Sequence, residues 1–99
     1  MKNTVTVNFY KKTYTHCPAC EAMEKTLDRW IEENEDVNVT VFTFSLEDNM
    51  DRVSTRFPDA KQAPIVEVER PGERTWVSGN NPDILVDLLN GDQDIWDEL

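Results

Sequence analysis

Two cysteines, Cys17 and Cys20, carry the most reactive side chains of this 99-residue chain, which has no other cysteine. They lie three positions apart, after an apolar, strand-like run and at the start of a helix-like one. A Cys-x-x-Cys pair between such elements is typical of a dithiol that is oxidised and reduced reversibly. The spacing therefore predicts thiol–disulfide exchange.

The two thiols are expected to have different roles, because they would occupy different places on the helix. Cys17 precedes the first turn, where unpaired backbone N–H groups and the positive end of the helix dipole favour a thiolate. In such positions a thiol pKa falls to about 3.5–7.5, from about 8.5 in a free cysteine. The thiolate is the species that attacks a disulfide. We therefore assign Cys17 as the nucleophile and Cys20 as the residue that resolves the mixed disulfide.

Other uses of the cysteines are less favoured. A structural cross-link around a loop of about four residues would contribute only about 2 kcal/mol. A zinc site would have His16 and the two cysteines, one ligand short of a tetrahedral set, so we expect no bound metal. Glu21 stands where a haem-attachment motif has histidine. A non-catalytic metal-binding or interaction module is the alternative from a different class.

The composition predicts one acidic globular domain. Apolar residues make up 38% and charged residues 30% of the chain, and the formal net charge is −10. This charge disfavours nucleic acid and anionic membranes as partners, and it suits either solubility or a partner with a basic face. Neither a membrane-spanning run nor the apolar segment of a signal peptide is present. We expect a cytoplasmic monomer with a domain at 1–91 and an acidic tail at 92–99, whose Trp96 favours docking on the domain.

Hydrophobic periodicity predicts seven elements in the order β-α-β-α-β-β-α. The strands are expected at residues 5–9, 37–44, 65–68 and 75–77, and the helices from Pro18, Ser45 and Asn81. In the second strand the apolar parity shifts at Val41 and Phe42, which predicts burial on both faces and an interior position. The order predicts an α/β fold with a four-stranded mixed sheet and helices on both faces.

Local signals mark the ends of these elements. Ser45 with Asp48 resembles a capping box, and Asn81 is a predicted N-cap. Pro71 and Gly72 fill the central positions of a predicted type II turn, which joins the third and fourth strands into a hairpin.

Three motifs, in order and between matching elements, make residues 4–90 resemble the thioredoxin superfamily. They are similar to segments of the small glutaredoxins and the NrdH-type redoxins within that superfamily. The motifs are Phe9-Tyr10-Lys11 leading into Cys17-Pro18-Ala19-Cys20, then Gln62-Ala63-Pro64-Ile65-Val66, and then Trp76-Val77-Ser78-Gly79-Asn80-Asn81-Pro82-Asp83.

The resemblance implies a thioredoxin fold and a thiol–disulfide oxidoreductase that carries electrons to protein disulfides. It implies no bound cofactor beyond the Cys17–Cys20 disulfide itself. Similarity to NrdH-type redoxins implies thioredoxin reductase as the electron donor and ribonucleotide reductase as a substrate. The alternative is a glutaredoxin with glutathione as co-substrate, although Ala19 stands where glutaredoxins commonly have tyrosine.

The resemblance also assigns binding residues. It implies a cis Ala63–Pro64 bond, which would place Pro64 beside Cys17 and leave the Ala63 backbone free to pair with an extended substrate. Gly79 would allow a close backbone approach at the same site. Contacts to glutathione or to a reductase are expected from Lys11, Tyr14, Asn80 and Asp83.

Overall fold

The central strand of the protein is β1 (Thr4–Lys11), whose alternate side chains face opposite sides of a sheet. The computed structural model describes residues 4–91. The acidic tail predicted at 92–99 therefore lies outside the described residues. Phe9 and Tyr10, neighbours on β1, enter two different apolar clusters, so the sheet separates two layers of core.

The remaining elements follow the predicted order. They are α1 (Pro18–Glu33), β2 (Asn38–Ser45), a 3₁₀ turn (Glu47–Asn49) leading into α2 (Met50–Arg56), β3 (Ile65–Arg70), β4 (Glu73–Ser78) and α3 (Pro82–Asn90). The sheet order is β2-β1-β3-β4, with β2 parallel to β1 and with β3 antiparallel to both β1 and β4. The predicted α/β class and the four-stranded mixed sheet are confirmed. Within residues 4–91, no helix combines the length and the apolar character needed to cross a membrane.

Helices α1 and α3 cover one face of the sheet. On α1, Met23, Leu27 and Trp30 lie on one side by i+4 and i+3 spacing and are all buried. They pack with β1 and with Leu85 and Leu89 of α3. This layer fixes the position of α1, and therefore the position of the cysteines at its start.

The shorter helix α2 covers the other face near the cysteine end. Val53 and Phe57 pack there against Tyr10 and Ile65. The Phe57 ring lies between Tyr10 and Trp76, with centroid distances of 5.8 and 5.5 Å. Trp76 is therefore a half-buried core residue rather than an exposed contact surface.

The predicted interior position of β2 is wrong, because β2 is an edge strand. Val41 and Phe42 are 39% and 51% exposed. The central place belongs to β1, which pairs with β2 on one side and β3 on the other. Helix α2 has seven residues and packs on Phe44 at one end of β2, leaving Phe42 uncovered. Apolar residues on both faces of a strand therefore occur in an edge strand of the sheet as well as in an interior strand.

The predicted caps are only partly formed. The Ser45 hydroxyl accepts the Asp48 N–H at 3.4 Å, but no return bond from Asp48 closes the box, and the chain enters a 3₁₀ turn there. Asn81 does occupy the N-cap of α3, yet its side chain donates to the Ser78 carbonyl at 2.8 Å instead of capping the helix. The turn at Gly72 has φ of 79°, as a type II turn requires.

A buried carboxylate joins α2 to the sheet. Glu67 on β3 is 1% exposed and accepts two hydrogen bonds from Arg56 Nη2, at 2.9 and 2.8 Å. Asn8 Nδ2 donates a third at 2.9 Å. The hydrogen bond to Glu67 raises the pKa of the Arg56 guanidinium. The network holds the C-terminal end of α2 on the sheet, and α2 in turn lines the site described next.

Candidate functional site: the dithiol and its groove

Cys17 is the N-cap residue of α1. Its backbone is extended, with φ −134° and ψ 90°, and its Sγ accepts a hydrogen bond from the Cys20 N–H at 3.2 Å. The first helical bond runs from the Glu21 N–H to the Cys17 carbonyl at 3.1 Å. Pro18 occupies the first helical position, where an N–H would have no partner. The sulfur therefore lies at the positive end of α1, as the sequence indicated.

Cys17 and Cys20 form a disulfide, with their Cα atoms 5.2 Å apart. Cys17 is partly exposed, whereas Cys20 is 3% exposed and packs under the first turn of α1. An external disulfide can therefore reach the Cys17 sulfur far more easily than the Cys20 sulfur. This asymmetry is the one that the predicted nucleophile and resolving roles require.

The Ala63–Pro64 bond is cis, as predicted. Pro64 is buried, and its carbonyl accepts the Gly79 N–H at 2.9 Å, which ties this turn to the end of β4. Gly79 has φ of 78°, and a Cβ there would collide with the Gln62 side chain. Pro64 and Gly79 thus shape the site from behind rather than line it.

Ala63, with Gln62 before it, lines the groove at this turn. Neither its N–H nor its C=O makes a hydrogen bond to another residue of the described range 4–91. A backbone segment with both groups available can pair with an extended peptide. Pairing of the Ala63 backbone with an extended substrate stays a prediction.

A cavity of about 560 Å³ opens beside Cys17. Its apolar part comes from the 3₁₀ turn, α2, the loop before β3 and the start of β3: Leu46, Met50, Val53, Ala60, Ala63 and Ile65. Its other lining residues are Lys12, His16, Cys17, Pro18, Ala19, Lys61, Gln62 and Asn80. We call this cavity the Cys17 groove. It places an apolar surface, a backbone edge and the outer sulfur within one cleft.

The four predicted contact residues have different positions, and only Asn80 lines the Cys17 groove. Lys11 Nζ lies 3.3 Å from Glu24 Oε2. Tyr14 is 69% exposed and its hydroxyl donates to Asp48. Asp83 is exposed in the first turn of α3.

Two lysines, Lys12 and Lys61, also line the groove. Lys12 belongs to the Lys11-Lys12 pair whose charge the sequence offers to a thiolate or a glutathione carboxylate, whereas Lys61 was not predicted. Lys12 follows the last residue of β1, where strand parity no longer indicates a direction. Lys61 lies two residues before Ala63, and this closeness in sequence to the cis bond is the signal that could have identified it as a residue of the site.

A carboxylate ties the loop before the dithiol to the 3₁₀ turn. Glu47 accepts the N–H groups of Thr13 and Tyr14 at 2.9 and 3.1 Å. The Thr13 bond is the main reason that the pKa of Glu47 falls to about 2. The hydrogen bond to Asp48 raises the pKa of Tyr14. These bonds order the loop that leads into Cys17, and the sequence did not reveal them because they join residues more than thirty positions apart.

His16, the only histidine of the chain, lines the Cys17 groove and faces Glu21. Its Nδ1 lies 3.7 Å from Glu21 Oε1, and its side chain is 74% exposed. Across residues 4–91, no group of three or more His, Cys, Asp and Glu side chains is placed to hold a metal ion. What the described side chains offer near Cys17 is disulfide chemistry.

The fold and the site can now be compared with known proteins. No protein-family model and no curated protein matches the chain. Thioredoxin f2 of Chlamydomonas reinhardtii has 20% identity, an alignment covering 93% of this chain and 82% of its own, and a TM-score of 0.65. The oxidized mitochondrial thioredoxin 3 of Saccharomyces cerevisiae has 20% identity, an alignment covering 93% of this chain and 79% of its own, and a TM-score of 0.63. The germline-specific thioredoxin Deadhead of Drosophila melanogaster has 17% identity, an alignment covering 89% of this chain and 80% of its own, and a TM-score of 0.64. The chain therefore has the thioredoxin fold, as its three motifs predicted.

Proposed function

We propose that this protein is a thiol–disulfide oxidoreductase that reduces disulfides in other proteins. One observation carries the proposal: Cys17, disulfide-bonded to the buried Cys20, caps α1 at the mouth of a groove lined by Ala63. A stabilising cross-link needs neither an exposed sulfur nor a groove beside it. A disulfide that opens and closes suits a reducing compartment, so we place the activity in the cytoplasm.

The reaction begins with the reduced protein. The Cys17 thiolate attacks one sulfur of the substrate disulfide, forming a mixed disulfide and releasing the other substrate sulfur as a thiolate. Cys20, as thiolate, then attacks Cys17 Sγ, which forms the Cys17–Cys20 disulfide and releases the second substrate sulfur. Two electrons pass from the dithiol to the substrate, and the two protons lost by the cysteines balance those gained by the products. A dithiol reductase or two glutathione molecules restore the dithiol.

For the electron donor, we propose thioredoxin reductase, with the protein acting as an NrdH-like carrier and ribonucleotide reductase as one substrate. Two positions support this choice over glutathione. Ala19 presents a methyl group to the Cys17 groove, so no ring is available at this position to pack on glutathione. Asp83, one of the residues expected to contact glutathione or a reductase, is not among the groove residues.

A glutathione-dependent glutaredoxin is the second candidate, and one observation favours it. Lys12, Lys61 and Asn80 line the same groove, and two ammonium groups with an amide suit the carboxylates of glutathione.

The experiment that separates the two candidates couples reduction of a model disulfide to NADPH oxidation. One arm supplies thioredoxin reductase, and the other supplies glutathione with glutathione reductase. Turnover with thioredoxin reductase alone supports the carrier, and turnover with glutathione alone supports the glutaredoxin. Cys17→Ser must abolish turnover in the active arm. If Cys17→Ser left the rate unchanged, the oxidoreductase assignment would be wrong.

A further inference from the structure

The Cys17 groove differs in charge from the rest of the molecule. The chain has 20 acidic residues against 10 lysines and arginines. The residues that line the groove nevertheless include Lys12, Lys61 and His16 and no aspartate or glutamate. The cleft beside the reactive sulfur is therefore lined by cationic and not by anionic side chains.

The charges on the two lysines are not neutralised locally. Among residues 4–91, no carboxylate oxygen lies within 4 Å of the Lys12 or Lys61 ammonium group. Lys11, one position before Lys12, is paired with Glu24. Both groove lysines are exposed and can meet an incoming group without first breaking an ion pair.

Two acidic residues close in sequence to groove residues, Glu21 and Glu47, have partners of their own. Glu21 faces His16 at 3.7 Å, so any positive charge on His16 is offset by that carboxylate. Glu47 accepts backbone N–H groups from Thr13 and Tyr14. An acidic ligand approaching this protein is repelled by the overall charge of −10 and finds unpaired positive charge at the groove. This arrangement favours binding of the ligand with its acidic group at the Cys17 groove.

We propose that the Cys17 groove selects protein disulfides in which an acidic side chain lies close to the attacked cysteine. Lys12 and Lys61 are the specificity-determining residues, one on the segment after β1 and the other on the segment before Pro64. The apolar surface around Val53 binds an apolar side chain of the substrate next to the attacked cysteine, and the Ala63 backbone aligns the substrate backbone. This inference rests on the proposed function, and the redox step is the same two-electron exchange between the Cys17–Cys20 dithiol and the substrate disulfide.

The test is a single-turnover reaction of the pre-reduced protein, with no reductase present. The substrates are three synthetic peptides with one internal disulfide and one leucine beside the cysteine, differing only in two flanking residues, which are Glu, Gln or Lys. An uncharged small disulfide serves as the reference substrate. We expect the second-order rate constant for the Glu peptide to exceed that for the Lys peptide by about tenfold at low salt. The ratio should fall towards one in 1 M salt, where the Debye length is about 3 Å.

Three lysine variants locate the effect. Lys12→Gln and Lys61→Gln should each lower the Glu-to-Lys rate ratio severalfold. Lys25→Gln is the matched control, because Lys25 is an exposed lysine of α1 that does not line the groove and the net charge changes equally. It should leave the ratio as in the unmodified protein. A change in selectivity and its salt dependence are readouts that a merely structural role would not move.

Two results would overturn the inference while leaving the proposed function intact. One is equal reduction of the three peptides by the unmodified protein. The other is a ratio that falls as much with Lys25→Gln as with Lys12→Gln, which would assign the effect to net charge. Failure to reduce even the uncharged reference disulfide would instead remove the proposed function, and this inference with it.

Discussion

At the scale of single residues, the position of Cys17 at the N-cap of α1 is the feature with the clearest chemical consequence. Its sulfur accepts the Cys20 N–H and lies at the positive end of a 16-residue helix. Both effects stabilise a thiolate more than a thiol. Cys17 is partly exposed, whereas Cys20 is buried.

We therefore predict that, in the reduced protein, the pKa of Cys17 lies below the value of about 8.5 of an ordinary thiol. The rate of alkylation by iodoacetamide as a function of pH measures it, with mass spectrometry to identify the modified cysteine. Cys20→Ser provides the control in which only Cys17 can react. An inflection at the value of a free thiol would contradict the role assigned to the helix terminus.

Gly79 gives a second residue-scale prediction, with Gly72 as its matched control. Both have positive φ, so alanine at either position should destabilise the protein by about 1–2 kcal/mol, measured by urea unfolding. A Cβ at Gly72 meets nothing within 4 Å, whereas one at Gly79 would displace Gln62, which lines the Cys17 groove. Gly79→Ala should therefore also slow disulfide reduction, and Gly72→Ala should not. Equal rates for the two variants would show that Gln62 has no influence on the groove.

The sequence identified the residues with distinctive chemistry and missed those whose role depends on tertiary contacts. Cys17, Cys20 and the cis bond before Pro64 are recognised from local motifs. The sequence did not distinguish Lys12, which lines the groove, from Lys11, which does not, because the end of β1 removes the alternation that assigns side-chain direction. Glu47 was not predicted, because its partners are distant in sequence.

At the scale of elements, the buried carboxylate of Glu67 helps to place α2, with Arg74 Nε on β4 as a second cation 3.7 Å away. Arg56 on α2 donates twice to Glu67 on β3, and Glu67 is 1% exposed. A buried charge left without its partner is strongly destabilising. Because α2 contributes Met50 and Val53 to the Cys17 groove, this pair also positions one wall of the site.

Arg56→Met should lower the free energy of unfolding by about 1–3 kcal/mol, because Glu67 would lose its main hydrogen-bond donor and keep only Asn8 and Arg74 beside it. The double variant Arg56→Met/Glu67→Gln removes the charge as well and should be less destabilised. Arg52→Met, on the exposed side of α2, is the control and should lose only about 0.5–1 kcal/mol from its contact with the Phe44 ring. Urea unfolding measures all three. If Arg56→Met were as stable as the double variant, or more stable, the role assigned to the pair would be contradicted.

The loop before the dithiol should respond to acid. The pKa of Glu47 is about 2 in the folded protein against an ordinary value of 4.5, because the Thr13 and Tyr14 N–H groups bind the ionised form. A lowered pKa means that this stabilisation is complete above about pH 4.5 and is lost as the pH falls through about 2. Amide hydrogen exchange or chemical shifts of Thr13 and Tyr14 should change over that range. Glu47→Gln should abolish this pH dependence, and an unchanged titration in Glu47→Gln would assign it to another group.

Element types were more predictable than element environments. The 3.6-residue periodicity of Met23, Leu27 and Trp30 predicts α1 and its buried face. The mixed parity of β2 suggested an interior strand. The position of a strand in the sheet depends on pairing with residues far away in sequence, and the periodicity within one strand carries no information about that pairing. The Ser45 cap is half formed because Ser45 still belongs to β2.

At the scale of the whole molecule, fold and charge have separate consequences. The element order together with three motifs was sufficient to predict the thioredoxin fold, because each segment favours the same arrangement locally and globally. The distribution of charge could not be predicted in the same way. The total of −10 comes directly from the composition, whereas the absence of carboxylates from the lining of the Cys17 groove follows from which loops the fold brings together.

The most direct test of the whole account is to trap the exchange reaction on a protein disulfide. Reduced Cys20→Ser protein is mixed with a disulfide-containing protein, and the products are separated without reductant and identified by mass spectrometry. We predict a mixed disulfide through Cys17, and with the unmodified protein a Cys17–Cys20 disulfide together with two new substrate thiols. Failure of Cys17 to form any mixed disulfide, with the unmodified protein leaving the substrate oxidised, would contradict the assignment of this dithiol as a reductant of protein disulfides.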